Sequence, residues 1–213
     1  MKTLSKSMEV KICAICHYRY VPAVVGDNEL HRKYHDEFVH GVRVKTSKSD
    51  WVLEQLDDLK IILVSPTSPD TQRKRAQRIA FRVNRETHFD FVSYHASETD
   101  ESESPLVFIG VTAERAVAFL VVRKNTHSAK VTWDLYDKKD RGTIPLHPDE
   151  RWSISMVWIL PTNRRKGIAT NLINAASRYL KVPVLDMACT NPFTEFGYPL
   201  AKTISPINVI LSR

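Results

Sequence analysis

Four side chains near the N-terminus have the types and the spacing of a metal site. Cys13-Ala14-Ile15-Cys16 is followed, fourteen residues later, by His31-Arg32-Lys33-Tyr34-His35, a C-x2-C…H-x3-H arrangement. A C-x-x-C knuckle puts two thiolates on one side of a tetrahedral ion, and histidines at i and i+4 leave one face of a helix to complete it. The gap between the two pairs is about two residues longer than the common finger spacing. Cys13, Cys16, His31 and His35 are therefore the expected ligands of a zinc ion. Four protein ligands leave no open coordination position, so that zinc is structural rather than catalytic. His17 and His40 fall outside the spacing and are expected at the surface.

A second set of residues suits an anion. The run Ser155-Met156-Val157-Trp158-Ile159-Leu160 reads as a strand, and the pattern from Ile168 to Leu180 reads as a helix. Between them lies Arg164-Arg165-Lys166-Gly167-Ile168-Ala169-Thr170, of the form R-x-x-G-x-A. A basic turn opening into a helix aims several free backbone N–H groups and the positive end of the helix dipole at one point, which suits a phosphate or pyrophosphate. Gly167 allows close backbone approach, and Ala169 keeps the first helical turn small.

Composition sets the outer limits. The chain has 213 residues, a formal net charge of +7 and a pI of about 9.3, which favours acidic partners such as chromatin, nucleic acid or a polyphosphate without choosing among them. No apolar run approaches the ~20 residues needed to span a bilayer, and residues 1–7 lack the apolar stretch of a secretory signal. With Cys13 and Cys16 assigned to metal, Cys189 has no partner for a disulfide, so a reducing, intracellular setting is expected.

The elements that must position these residues read as a polar tail at 1–10, a small finger at 11–41, a linker at 42–58 carrying a partly docked helix or strand, and an α/β domain at 59–213. Ile61-Ile62-Leu63-Val64 predicts a strand closed by Ser65-Pro66. Ala76, Ile79, Ala80 and Val83 at i, i+3, i+4 and i+7 predict an amphipathic helix capped near Asp70-Thr71, with a solvated basic face of Arg73, Lys74, Arg75 and Arg78. Residues 97–104 read as an acidic, Ser-rich loop. Residues 106–111 and 116–122 read as a hairpin, and 124–150 as a long excursion. The segment 182–188 is expected as a strand, broken after Asn191 by Pro192, followed by a short helix near 194–204 and a last strand at 208–211. The order is a mixed α/β sheet with a ligand turn after a central strand.

The R-x-x-G-x-A loop resembles the pyrophosphate loop of the GNAT acetyltransferases, and the element order is their layout. The finger at 13–35 with His40-Gly41, the strand Lys60-Ile61-Ile62-Leu63-Val64, the segments 155–159 and 164–170, and Thr190-Asn191-Pro192 with Pro199-Leu200-Ala201 together resemble the cohesion-establishment (Eco/ESCO-type) acetyltransferases. The resemblance covers most of 11–213 and is weakest at 42–58 and 124–150. It implies a GNAT fold behind a small ββα-like zinc finger and an acetyl-CoA-dependent protein-lysine N-acetyltransferase. The acceptors would be lysines on the ATPase head of a cohesin SMC subunit, modified in the nucleus during S phase to hold sister chromatids together. It also implies the replication sliding clamp as a partner, although residues 1–10 contain no convincing clamp-binding box. A lone finger implies only weak contact with DNA.

Residue by residue, the resemblance implies that the strand at Val157, Trp158 and Ile159 pairs with the pantetheine arm. Arg165, Lys166, Gly167, Ile168, Ala169 and Thr170 would hold the pyrophosphate, and Phe193, Thr194 and Glu195 would close over the cofactor. Ser155 falls where the family keeps a serine beside the acceptor lysine. Asn174 and Asn191 fall where animal members carry acids, a departure that supports an alternative reading as a non-catalytic chromatin-binding protein with a degenerate fold. Asp186, Glu195 or water reached through Ser155 are the remaining candidate proton acceptors. Trp158 and Phe193 are as well explained as core. Cys189 is expected as a buried apolar residue rather than a nucleophile. Unfolding of the finger on metal loss is expected to leave the anion loop largely intact.

Overall fold

The computed structural model describes residues 9–87, 104–138, 144–191 and 193–212. The expectations for most of the tail, for the acidic loop at 97–103 and for Pro192 lie outside the described residues.

Two two-residue strands, β1 (Lys11–Ile12) and β2 (Arg19–Tyr20), pair antiparallel and lead into α1 (Val25–His40). The turn between the strands closes with Cys13 N–H donating to Tyr18 O at 3.0 Å and His17 N–H to Cys13 O at 2.9 Å, with His17 at φ +57°. This is the expected ββα finger.

Among the described residues, the main sheet has eight strands. β3 (Val42–Arg43), β4 (Trp51–Leu56), β5 (Leu59–Val64), β6 (Leu106–Thr112), β7 (Arg115–Thr132), β8 (His147–Ile159), β9 (Ala188–Thr190) and β10 (Asn208–Ser212) form it in the order β10-β9-β8-β7-β6-β5-β4, with β3 and β10 also paired to β7. Strands β4 to β8 are antiparallel neighbours, whereas β8, β9 and β10 run parallel. The helices are α2 (Asp70–Thr87), α3 (Trp133–Lys138), α4 (Ile168–Leu180) and α5 (Gly197–Ile204). Ile61, Ile62, Leu63, Phe108, Phe119, Leu120, Ile79, Leu172 and Ala176 are among the residues of the continuous core between sheet and helices, each with almost no exposure. Among the described residues, no helix is long and apolar enough to cross a membrane.

The segment 42–58 carries strand, one of its two expected contents, and other elements differ from the sequence reading. The segment 42–58 supplies β3 and β4, and its intervening loop is pinned to α2: Arg75 donates to both carboxylate oxygens of Asp50, at 3.0 and 2.8 Å, and to Lys45 O at 2.8 Å. Arg75 therefore leaves the solvated face assigned to it and forms a buried ion pair. Among its described residues, the excursion at 124–150 is strand at 124–132 and 147–150, with α3 at 133–138 between them. β7 continues to Thr132 because its second half pairs with β10 at 128–132, where burying Ala129 and Val131 needs few apolar residues. The strand expected at 182–188 is confined to β9, because Pro183 cannot donate to a ladder and 184–186 turns as a 3-10 helix.

The finger is docked by charge and close approach. Arg115 donates to both oxygens of Asp36 at 2.7 and 3.1 Å and to Gly41 O at 2.9 Å. A Cβ at Gly41, whose φ is +84°, would sit 2.4 Å from Ala116 O, so only glycine lets α1 end against β7 here. The Arg115 guanidinium holds the Asp36 carboxyl below its ordinary value. Since the folded value is lowered, the pair's stabilisation is present above the ordinary carboxylate range and is lost as pH falls through the depressed value. Asp36 is 37% exposed, so water screens the pair and its worth is about 1 kcal/mol. Arg115→Met is expected to lower the urea midpoint by an amount that stays constant between about pH 8 and 5 and shrinks only below the ordinary aspartate value of 3.8. A difference that already changes between about pH 8 and 5 would point to another titrating group.

Candidate active site and finger metal site

The central feature of the site is a split in the sheet. β8 pairs with β7 along most of its length, but on its other edge it pairs with β9 only at Ser153↔Ala188 and Ile154↔Cys189. Beyond Ile154, the edge of β8 toward β9 carries no strand partner among the described residues. The register shifts at this point: Val121 faces Met156 and Val122 faces Ile154, leaving Ser155 as the extra residue of a β-bulge. A bulge re-aims side chains and ends regular pairing, and bulges are frequent beside active sites. The Ser155 hydroxyl is buried and has no hydrogen-bond partner.

From Ile159 the chain turns through 161–163 into the basic loop. Arg165 and Gly167 both adopt left-handed φ, +63° and +76°. Gly167 is the N-cap of α4, without a side-chain cap, and the first helical hydrogen bond runs from Asn171 N to Gly167 O at 3.0 Å. The N–H groups of Ile168, Ala169 and Thr170 therefore precede the helical ladder. Arg165, Lys166 and Gly167 are exposed, and a Cβ at Gly167 would meet no atom within 4 Å. The loop is an open, basic, amide-rich helix mouth beside the split.

The remaining site expectations divide. Val157 and Ile159 are half-buried, while Trp158 is 2% exposed and its indole N–H donates to Glu86 at 3.1 Å, so its side chain is core. Phe193 packs among Trp133, Tyr136 and Tyr198 and is also structural. Thr194 and Glu195 are exposed; the Thr194 hydroxyl accepts from Gly197 N–H at 3.0 Å at the start of α5. Asn191 follows β9, where its Oδ1 accepts from Tyr136 OH at 3.0 Å and its N–H donates to Ser212 O. Asn174 is half-buried on α4, and Asp186 is exposed in the 184–186 turn. Burial pushes the Cys189 thiol up to about 12, which keeps it protonated and removes it as a nucleophile.

Sequence reasoning missed Glu86. At the end of α2 it accepts from Arg164 Nη2 at 2.8 Å, Trp158 Nε1 at 3.1 Å and Arg82 Nη2 at 3.4 Å. Only the i, i+4 spacing to Arg82 is visible locally; the other two partners lie more than seventy residues away. Arg164, the leading arginine of R-x-x-G-x-A, is thereby turned back toward α2 and Ile159 O rather than into the loop.

The finger brings its four expected ligands together. The donor atoms of Cys13, Cys16, His31 and His35 all lie within 4.8 Å of one another, with Cys13 Sγ 3.4 Å from His35 Nδ1. A tetrahedral zinc site has ligand–ligand separations of about 3.3–3.8 Å, so the cluster fits such an ion with slight contraction. His31 Nε2 is buried with no hydrogen-bond partner, which leaves its lone pair free to ligate a metal. The Cys13 thiol is drawn down to about 5, chiefly by the N–H groups of Cys16 and Ile15 and by His31, while burial raises Cys16. His17 and His40 are exposed and outside the cluster.

Residues 151–205 match the family model described as ESCO1/2 acetyl-transferase. The N-acetyltransferase ECO1 of Saccharomyces cerevisiae is 24% identical across 95% of this chain and 86% of its own length. The chain is similar to the Eco/ESCO N-acetyltransferases. The zebrafish (Danio rerio) member, N-acetyltransferase ESCO2, is 23% identical across 80% of this chain, which spans only 29% of that relative. The solved xEco2 acetyltransferase domain bound to a K105-CoA conjugate superposes with a TM-score of 0.62 at 21% identity, covering 78% of this chain and 98% of that domain, which establishes the Eco/ESCO domain fold. Cys189→Ala is expected to keep acetyl transfer by this protein within about twofold; a drop beyond about a hundredfold in a folded variant would restore a role for the thiol.

Proposed function

We propose that this Eco/ESCO-like protein transfers the acetyl group of acetyl-CoA directly to a lysine amine on a cohesin SMC head, in the nucleus and on chromatin, so as to establish sister-chromatid cohesion. The observation that carries this reading is the split between β8 and β9 opening beside the uncapped, basic mouth of α4. In this reading the unpaired edge of Val157, Trp158 and Ile159 takes the amide groups of the pantetheine arm. The amides of 168–170, with Arg165, Lys166 and Gly167, hold the pyrophosphate, and residues 193–195 flank the carrier.

A lysine amine has a reference pKa near 10.4, so presenting it neutral near pH 7.4 costs about 4 kcal/mol. Desolvation at the split and a proton acceptor must supply this. Asn174 and Asn191 cannot take the proton, although an amide can orient the amine or a water. Ser155, whose buried hydroxyl has no protein partner, is assigned to contact the incoming amine or its water. Backbone N–H groups on the free edge of β8 polarise the thioester carbonyl and stabilise the oxyanion. Positioning then carries much of the rate, which is compatible with a weak base.

The finger is assigned a structural zinc held by Cys13, Cys16, His31 and His35, which orders 11–41 without taking part in the chemistry. Its roles are folding and docking, with weak contact to DNA at most; the sliding clamp is a further proposed partner.

Purified protein, labelled acetyl-CoA and cohesin heads test the main reading; heads that remain unlabelled under conditions of good turnover would defeat it. Gly167→Asp adds a carboxylate at the anion site, where its Cβ meets no other atom, and aspartate tolerates left-handed φ better than most residues. Acetyl-CoA affinity is expected to fall by about a hundredfold or more with the fold retained, whereas unchanged affinity would remove the loop assignment. Elemental analysis is expected to find one zinc per chain, lost in Cys13→Ser; a metal-free native protein would refute the finger assignment.

A further inference from the structure

Glu86 joins three parts of the molecule that are distant in sequence. One oxygen accepts from Arg164, and the other from Trp158 of β8 and from Arg82 one turn earlier in α2. Arg164 in turn donates through Nε to Ile159 O at 3.1 Å, and its guanidinium lies 4.7 Å from the centre of the Phe196 ring, just ahead of α5. It thus clamps the end of β8 to the residue that follows the carrier-flanking segment 193–195. Arg82 is 2% exposed, and its Nε and Nη1 have no hydrogen-bond partner. What faces it instead are two rings of the finger helix, Tyr34 at 5.3 Å and Phe38 at 5.1 Å. A buried guanidinium held by one carboxylate and two aromatic faces depends on all three.

We propose that Glu86 is a positioning residue for the acetyl-CoA loop, and that through Arg82 it couples the folded finger helix to that loop. This rests on the assignment of 164–170 as the carrier loop. The rings of α1 keep Arg82 desolvated and directed at Glu86. Glu86 keeps Arg164 on Ile159 O and Phe196, and Arg164 fixes the point where β8 leaves the sheet for the loop. Losing any link frees the loop's first residue and adds an ordering cost to carrier binding. In this proposal the finger and the loop are coupled, whereas the sequence predicts a loop that survives loss of the finger.

Steady-state kinetics of the whole 213-residue chain, prepared with added zinc, test this with Glu86→Gln, Arg164→Lys and Phe38→Leu. Glu86→Gln keeps an acceptor for the Trp158 indole but loses the charge shared by two arginines. It is expected to raise KM for acetyl-CoA about tenfold, with kcat and KM for the acceptor within about twofold. Phe38→Leu is expected to raise the same KM about threefold, and its effect combined with Arg164→Lys to be smaller than the product of the two. Should Glu86→Gln fail to fold, the Phe38/Arg164 pair alone decides. Unchanged acetyl-CoA KM in Glu86→Gln or Arg164→Lys, or multiplicative effects of Phe38→Leu and Arg164→Lys, would overturn the coupling. Gly167→Asp run alongside separates the two ideas: if it abolishes carrier binding while the other variants change nothing, the loop assignment stands and only the coupling falls.

Discussion

The site depends on two parallel strands that cannot stay paired. β8 and β9 share a ladder for two residues and then part at the Ser155 bulge. Parallel pairing normally continues as long as both strands run on, because an unpaired edge costs hydrogen bonds. Here β9 ends at Thr190, while β8 runs on to Ile159 held, among the described residues, by β7 alone. The result is a slot with backbone donors and acceptors on one wall and a helix N-terminus at its mouth. The long β7 makes this possible: it pairs with β8 at 118–128 and with β10 at 128–132, so the sheet stays joined behind the gap.

Charge is used structurally around that slot. Asp50 and Arg75, with side chains 1% and 11% exposed, tack the 45–50 loop onto α2, and Asp36–Arg115 tacks the finger onto the β6–β7 hairpin. Breaking a buried pair of the first kind leaves an uncompensated ion and costs several kcal/mol, although the intact pair contributes far less than that. Such pairs specify where elements sit more than how firmly they hold.

The sequence made some of this legible and concealed the rest for identifiable reasons. The finger was readable because tetrahedral metal geometry ties residue type to spacing over a short span. The strand–loop–helix at 155–180 was readable because periodicity changes across a Gly-containing basic turn, and the 106–122 hairpin because apolar runs flank a short gap. β4 was obscured because an edge strand with exposed Trp51, Val52 and Leu56 lacks a regular alternation. The second half of β7 was obscured because pairing with β10, rather than apolar content, keeps it extended. Glu86 left only its i, i+4 spacing to Arg82, since nothing else local distinguishes a surface carboxylate at a helix end from one that gathers partners from β8 and the loop. Arg164 was read as part of an anion loop from its place in a pattern, but its direction is set by that distant acid.

β3 deserves a separate reading as a property of the chain's minimal folding unit. Along one edge of β7, β8 occupies positions down to Ala118, Leu160 N–H takes Val117 O, and β3 covers Ala116 and Arg115. Two residues following the finger thus seal the last stretch of backbone that the departing β8 uncovers. Excising the sheet domain at residue 59 would strip that seal and leave the backbone of Ala116 and Arg115 bare beside the end of β8, open to pairing with a neighbouring chain. The stretch between finger and enzyme behaves as a gasket, and any shortened version of this protein has to begin ahead of Val42.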